Sequence, residues 1–469
     1  MQQLHGLDSM FLYMETPRMP MHLGGVYIFE QPQDQPFDFY GFREMLQERL
    51  HLSRIFRERL LELPLNLGHP YWVEDPNFDL EYHITKVGLP GEGSMSDLME
   101  LAATIFSRPL DRTHPLWQMV IVEGLNAPEI APPGSFAMIY KVHHCAIDGA
   151  SGTEIMSAIL DFSPKPRKVK PPKEAWKPER IPTGMELIAR SYGARLSSPI
   201  KIFNYLRNNI SGVIDTAAEV LRNKLEPPPF PFTAPETPFN TDVSHHRIFR
   251  TTEMDLARIK AIKNAASTTV NDAMLAICAG GLRKYLQEKE ALPEKPLVAM
   301  APISVRSKNE KGKMGNKVSA MLVDLATNED DPAARLQLIH DHASDAKQLT
   351  KGLAPENLLD FVPAELAALS ARLYTRMHIP DRTKPVFNLV ITNVPGPPMP
   401  LYMAGAKLLH HFAMAPLLDG LGLLIVIFSY AGKISLGAIS CREIMPDLDK
   451  LMDYMQDALD ELESSVITN

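Results

Sequence analysis

The chain has very little cysteine, and the cysteines that it has are far apart. Cys145, Cys278 and Cys441 are the only three in 469 residues, an odd number without a CxxC pair. A disulfide framework or a structural zinc site needs several cysteines at short, regular spacing. The sequence therefore predicts a protein of a reducing compartment, with buried cysteines that pack as small apolar side chains.

Long hydrophobic runs are also missing. The strongest apolar run, residues 421–430, has about half the length that a membrane-spanning helix needs. The N-terminus has no basic region followed by a long apolar core, so we expect no secretory signal. The expected location is the cytoplasm, with any membrane contact peripheral, on the inner membrane face or on lipid inclusions.

An excess of positive charge is absent too. The formal net charge is −8, which argues against a nucleic-acid-binding protein. The basic residues are nevertheless concentrated in residues 163–183, which hold seven basic residues, two acidic residues and six prolines. The prolines predict an extended connector between two lobes. A second interpretation is a basic, amphipathic surface that rests on anionic lipid.

The most informative segment that is present is HHCAIDG at residues 143–149. It follows a predicted buried strand over residues 136–142 and precedes a short predicted helix. Neighbouring residues on an extended backbone point to opposite faces, so one histidine can enter a cavity while the other stays in its wall. Because the ordinary pKa of histidine is near neutrality, such a ring can accept and return a proton.

Two other interpretations of histidine pairs are open. A metal could bind His144 and Asp148, but no third ligand stands at helical or turn spacing, so we expect no metal site. The further pairs at residues 245–246 and 410–411 lack a following Asp-Gly. We expect these pairs to be structural or solvated.

The HHxxxDG pattern resembles the active-site signature of the CoA-dependent acyltransferase superfamily, which includes chloramphenicol acetyltransferase and the condensation domains of peptide synthetases. The resemblance implies that His144 is the general base, beside His143, and that Asp148 is structural. Relatives pair this aspartate with an arginine, for which Arg306 is the candidate here. Cys145 occupies a variable position of the signature, which implies packing and not nucleophilic catalysis.

Several further segments narrow the resemblance to one family, that of the bacterial wax ester synthases/diacylglycerol acyltransferases. The similarity extends from about residue 4 to about residue 465. The DFGWG element of plant and carnitine-type relatives is absent. The segments that carry the similarity are, in order, LD at 7–8, MHLGG at 21–25, RPLD at 108–111, PLW at 115–117, TVND at 269–272, PISVR at 302–306, GN at 315–316 and NLVITNVPGP at 388–397.

The fold class that follows is α+β, since strands alternate with helices without regular phosphate-binding βαβ loops. The resemblance implies a two-lobed chloramphenicol acetyltransferase-like fold with a channel between the lobes. We predict an N-terminal lobe at residues 1–162, a Pro/Lys-rich connector with helices at 163–240, and a C-terminal lobe at 241–469. Strands are expected at 26–29, 117–123, 136–142, 297–301, 318–325 and 388–392, and helices at 42–50, 95–105, 271–288 and 448–462.

The implied activity is transfer of a long-chain acyl group from acyl-CoA, the co-substrate, to a fatty alcohol or a diacylglycerol, with no other cofactor. Two alternatives are a condensation-type transferase with an amine acceptor or a carrier-bound thioester, and a non-enzymatic coat protein of lipid droplets or membranes. Residues 269–272 also suit a capped helix start, an equal alternative to a substrate role for Asn271. The residues expected to bind substrate or to shape the channel are Gly149, Asn271, Arg306, Asn393 and Gly396.

Overall fold

Two six-stranded sheets and their flanking helices form the fold. The computed structural model describes residues 1–4, 6–31, 36–63, 68–147, 151–172, 176–178, 180–183, 186–187, 232–304, 318–350 and 384–467. The helices are α1 (Gly6–Met14), α2 (Phe39–Arg49), α3 (Leu80–His83), α4 (Met95–Phe106), α5 (Ser151–Ile159), α6 (Leu256–Ala265), α7 (Val270–Glu288), α8 (Pro332–Thr350) and α9 (Leu448–Ile467). The strands are β1 (Gln2–Gln3), β2 (His22–Glu30), β3 (Glu58–Leu61), β4 (Tyr71–Glu74), β5 (Ile84–Gly88), β6 (Trp117–Glu123), β7 (Phe136–His143), β8 (Arg247–Asp255), β9 (Val298–Ser304), β10 (Val318–Asp324), β11 (Leu389–Pro395), β12 (Tyr402–Met403), β13 (Ala406–Met414), β14 (Leu423–Tyr430) and β15 (Lys433–Cys441).

The first sheet has the strand order β12-β13-β2-β7-β6-β5. Its central strands β2 and β7 run antiparallel, with His22 opposite His143. Both faces of the sheet are covered, one by a core that includes residues of α2 and α5, the other by a core that includes residues of α4. The central strands are therefore mainly apolar on both faces, which explains the apolar run at residues 136–140.

The second sheet has the order β10-β9-β11-β14-β15-β8, with β11 parallel to both of its neighbours. A large core buries one face of this sheet against α6, α7, α8 and α9. The apolar run at residues 421–430 contains β14, which pairs with β15 as a hairpin. Its two turn residues, Ala431 and Gly432, both have a positive φ, of 46° and 90°, as a tight hairpin of right-handed twist requires.

Strand β13 joins the two sheets. It belongs to the C-terminal part of the chain but pairs with β2 in the first sheet. From there, the His410 Nδ1 atom lies 2.8 Å from the Glu253 carboxylate of β8, and the Ser435 hydroxyl of β15 donates to the His411 carbonyl. The three-part division of the chain stays a prediction, and residues 188–231 of its connector lie outside the described residues.

The predicted strands and helices that can be compared all lie on observed elements. Helix 95–105 and strand 117–123 agree with α4 and β6 to within one residue. Strand 26–29 is longer than expected because β2 begins at His22, where the polar histidine and two glycines hide the pattern. The sequence predicts helix 271–288 with almost the same bounds as α7.

Candidate active site

Strand β7 ends at the two histidines of the motif. His143 closes the strand, and its Nδ1 atom accepts a hydrogen bond of 3.1 Å from the Cys145 amide. This bond caps a short 3-10 turn, His144–Ala146. The His144 amide donates to the Met21 carbonyl at 2.7 Å, which ties the turn to the segment before β2. The backbone of the motif is thus held on both sides.

The two rings have different surroundings. His143 is 1% exposed, whereas His144 keeps partial exposure. The His144 ring stacks on Phe11 of α1, with 3.6 Å between ring centroids and 13° between the planes. Among the described residues, its buried Nδ1 atom has no hydrogen-bond partner. His143 is therefore enclosed, whereas His144 is partly exposed at the start of the turn; that His144 enters a cavity stays a prediction.

Burial determines the protonation state of His144. Removal of solvent lowers the pKa of this imidazole to about 4, and the neighbouring His143 acts in the same direction. At neutral pH the ring is uncharged, so it can accept a proton. This is the form that a general base needs.

A buried carboxylate lies behind the histidine pair. Glu15 follows α1 and accepts hydrogen bonds from Arg112 (Nη2, 2.7 Å) and from the Met21 amide (3.2 Å). Its Oε1 atom lies 3.5 Å from His143 Nε2 and 3.7 Å from His22 Nε2. Burial by itself raises the pKa of Glu15, but the His143 ring and the Arg112 guanidinium outweigh it and lower the pKa to about 2.

A second group of predicted residues meets in the C-terminal half. The Asn393 amide Nδ2 donates to Asn271 Oδ1 at 3.2 Å, so the TVND and NVPGP segments are neighbours. Thr269 and Asp272 form a capping box at the start of α7. The structure confirms the helix-cap interpretation of residues 269–272. Asn271 contacts another predicted site residue, and its substrate role stays a prediction.

Gly396 allows a close backbone approach. Its amide donates to the Ser429 carbonyl at 2.9 Å, and a Cβ atom there would lie 2.3 Å from that oxygen. The same Cβ would also meet the Phe428 ring. Phe428 in turn contacts His411 edge-to-face at 4.1 Å, and His411 Nε2 lies 2.9 Å from the Tyr140 hydroxyl of β7. A continuous chain of contacts thus runs from the NVPGP segment to the histidine-bearing strand.

The structure describes some of the remaining candidate residues but not others. Asp148, Gly149 and Arg306 lie outside the described residues, so the Asp148–Arg306 pair stays a prediction. Cys145 is buried, and burial raises the pKa of its thiol well above the ordinary value, which agrees with a packing role. Trp117 is a core residue whose indole donates to the Phe56 carbonyl. Within the described ranges, no three His, Cys, Asp or Glu side chains are placed to hold a metal ion.

Phe11, Glu15 and Arg112 were missed by the sequence reasoning. Phe11 lies in α1 and Glu15 directly after it, more than 125 positions before His143 and His144. The signals near them were the short LD segment of α1, the RPLD segment before Arg112 and the MHLGG segment, whose His22 pairs with His143 across the sheet. Its place in the sheet could not be inferred from spacing alone.

The fold and the histidine pair place the protein among the two-lobed CoA-dependent acyltransferases. A wax ester synthase/diacylglycerol acyltransferase from Marinobacter aquaeolei VT8 has a similar structure, with a TM-score of 0.70 and 30% identity over 99% of this chain and 100% of that one. The first condensation domain of the calcium-dependent antibiotic synthetase reaches a TM-score of 0.60 at 13% identity, a likeness of fold alone. These similarities confirm the expected α+β fold with two lobes.

The sequence comparisons narrow this class to one family. The model of the wax ester synthase/diacylglycerol acyltransferase catalytic domain matches residues 4–274, and that of the WS/DGAT C-terminal domain matches residues 314–463. The probable diacylglycerol O-acyltransferase tgs2 of Mycobacterium tuberculosis is 35% identical over 98% of both chains. The O-acyltransferase WSD of Acinetobacter baylyi is 31% identical over 99% of this chain and 98% of its own. The chain belongs to the wax ester synthase/diacylglycerol acyltransferase family.

Acidification below pH 6.5 should destabilise the folded protein. Burial lowers the pKa of four histidines from 6.5, to about 3 for His22 and His411 and to about 4 for His83 and His144. Between pH 6.5 and about 4 the unfolded chain binds protons at these positions that the folded chain does not, so stability is full above 6.5 and falls as the pH drops. We expect Tm to be several degrees lower at pH 5.0 than at pH 7.5 in differential scanning fluorimetry. Equal Tm values would contradict the buried, uncharged state of these rings.

Proposed function

We propose that the protein transfers a long-chain acyl group from acyl-CoA to the hydroxyl group of a long-chain alcohol or a diacylglycerol, with acyl-CoA as co-substrate and no further cofactor. The observation that carries the proposal is the uncharged, partly exposed His144 ring at the end of β7. Family membership, through relatives that are named diacylglycerol O-acyltransferase and O-acyltransferase WSD, supports the substrate classes.

His144 acts on the acceptor hydroxyl. An alcohol is a weak nucleophile at neutral pH, and the ring removes its proton as the oxygen attacks the thioester carbonyl. The tetrahedral intermediate then collapses, the carbon–sulfur bond breaks, and the CoA thiolate takes the proton back from the imidazolium. The products are one ester and one CoA thiol, and the ring returns to its neutral state.

Asn271 is our candidate donor to the oxyanion or to a substrate carbonyl. Its side-chain oxygen accepts the Asn393 amide, which fixes the orientation of the group. The two N–H bonds of Asn271 then remain for an acceptor that carries negative charge. A donor held in place before the reaction needs little reorganisation as the charge develops.

The condensation-type alternative has weaker support. Its solved representative shares only 13% identity with this chain, which concerns the fold and not the acceptor. An amine acceptor is therefore tested as an alternative in the assay described next.

The assay compares three acceptors. Purified protein and labelled palmitoyl-CoA are incubated in parallel with hexadecanol, dioleoylglycerol or an amine, with thiol release and product chromatography as readouts. Ester formation supports the proposal, whereas amide formation alone would overturn it.

Substitution His144→Ala should abolish most of the activity without unfolding the protein. Removal of a general base costs about 10²–10⁴ in rate, and the ring makes no side-chain hydrogen bond to the described residues whose loss would destabilise the fold. In the wild type, kcat/KM should stay level from neutral pH downwards and fall only through about pH 4, where the ring becomes protonated. The matched control is His245→Ala, at an exposed histidine. Normal turnover by folded His144→Ala would remove this residue from the mechanism.

We also propose that the protein contacts an anionic lipid surface through Phe162, Met399 and the lysines that follow Phe162. Phe162 is 70% exposed and Met399 is 48% exposed. The two segments are adjacent, because residues 161 and 402 exchange backbone hydrogen bonds of 2.8 Å. Exposed Lys165 and Lys168 lie in the segment 162–172, which has no acidic residue. Among the described residues, no helix is long and apolar enough to cross a bilayer.

The lipid contact predicts salt-sensitive vesicle binding. The wild type should sediment with vesicles of phosphatidylcholine and phosphatidylglycerol but much less with phosphatidylcholine alone. Charge reversal by Lys165→Glu with Lys168→Glu should weaken this binding at least about tenfold, since each basic residue near an anionic surface contributes about 1 kcal/mol. The pair Lys260→Glu and Lys295→Glu makes the same charge change at exposed positions of the second lobe and should bind as the wild type does. Wild-type protein that stays in the supernatant at low salt would contradict the contact.

A further inference from the structure

Glu15 lies where a charged side chain is costly. Only 7% of its side chain is exposed, and it faces the buried ring of the histidine pair. Arg112 neutralises the charge through hydrogen bonds of 2.7 Å and 3.1 Å to Oε2. The other carboxylate oxygen, Oε1, is directed toward His143. A buried carboxylate is costly even beside a counter-ion, which suggests a role beyond packing.

The hydrogen bonds of His143 determine which ring nitrogen carries the proton. Nδ1 accepts from the Cys145 amide, so in the neutral ring Nε2 holds the hydrogen. That N–H lies 3.5 Å from Glu15 Oε1, farther than a direct hydrogen bond but close enough for strong attraction in a buried site. Glu15 thus favours the one tautomer that can cap the turn.

The hydrogen bond that caps this turn also holds the backbone of His144 in place. His143 is the N-cap of the turn His144–Ala146, so a rotation of the His143 ring would release the Cys145 amide and the backbone that carries His144. The same end of α1 also holds His144 directly. Phe11, one helical turn before Glu15, stacks on the His144 ring, and the Glu15 amide donates to the Phe11 carbonyl at 3.2 Å.

We infer that Glu15 is a positioning residue of the transferase: it fixes the tautomer and orientation of His143 and thereby the placement of the His144 ring. The inference rests on the proposed role of His144, but different experimental results would overturn the positioning role and the proposed mechanism. Full activity of His144→Ala would overturn the proposed mechanism. Full activity of a Glu15 variant beside an inactive His144→Ala would overturn only the positioning role.

The test is Glu15→Gln, which keeps the size of the side chain and an oxygen acceptor but removes the charge. A displaced base costs rate and not substrate affinity, so we expect kcat to fall about 10–100-fold while KM for acyl-CoA and the acceptor stays within about twofold. The matched control is Glu62→Gln. Glu62 binds the same Arg112 at 3.2 Å but is half exposed, and no hydrogen bond links it to either histidine. This control should keep the wild-type kcat.

A double-mutant cycle separates positioning from a general loss of stability. His143→Asn retains an oxygen that can accept from the Cys145 amide but removes the N–H that faces Glu15. If Glu15 acts through His143, the double variant should be no slower than the slower single variant, within about twofold. Additive losses, or a wild-type kcat in folded Glu15→Gln, would overturn the inference. Should Glu15→Gln fail to fold, His143→Asn alone decides, since its full kcat would also overturn it.

Discussion

The site depends on the burial of an uncharged imidazole at the end of a central strand. Burial keeps the His144 ring free of a proton at neutral pH, but it also makes the free ring a weak base. These two effects are reconciled during the reaction. In the proposed mechanism, the acceptor oxygen and the thioester carbonyl gain negative charge beside the ring and raise its proton affinity, because an adjacent anion favours the imidazolium. The base is thus strongest when the transition state needs it, and it is not occupied by a proton from solvent before then.

For His144 to stay uncharged, the other charged groups near the motif must be neutralised by partners other than His144. One buried carboxylate near the motif, Glu15, is paired with Arg112 and lies 3.5 Å from His143. His22, on the opposite strand, is held uncharged by burial. The polar network therefore lies in the wall on the His143 side, while His144 contacts an apolar ring, Phe11. The apolar Phe11 ring shields one side of the His144 ring from water.

Much of the site could be predicted from the sequence because its parts are local. The strand, the adjacent histidines and the capped start of α7 are each contained within a few residues, where alternation and capping chemistry act. Asn271 and Asn393 could each be predicted as candidate site residues. Their contact could not be predicted, since it depends on how the second sheet forms. Phe11 and Glu15 could not be found, because a helix more than 125 positions earlier carries no local sign of the turn it covers. Likewise, nothing in residues 406–414 indicates that this strand pairs with β2, from near the start of the chain, as well as with the adjacent β12.

The pairing of β13 with the first sheet also affects the distance between the two groups of candidate site residues. His144 is held within the first sheet and its helices, and the Asn271–Asn393 pair within the second. Their separation therefore depends on what joins the sheets. One link is β13, with His410 bound to Glu253 and His411 packed against Phe428 and Tyr140. Helix α4 also packs against β8, and Arg18 pairs with Asp242 and Asp419. Paired backbone and buried rings resist sliding far more than a loop contact would, because a shift of one residue would turn every β13 side chain to the other face. If His144 and Asn271 act as proposed, this strand pairing helps to fix the distance between them.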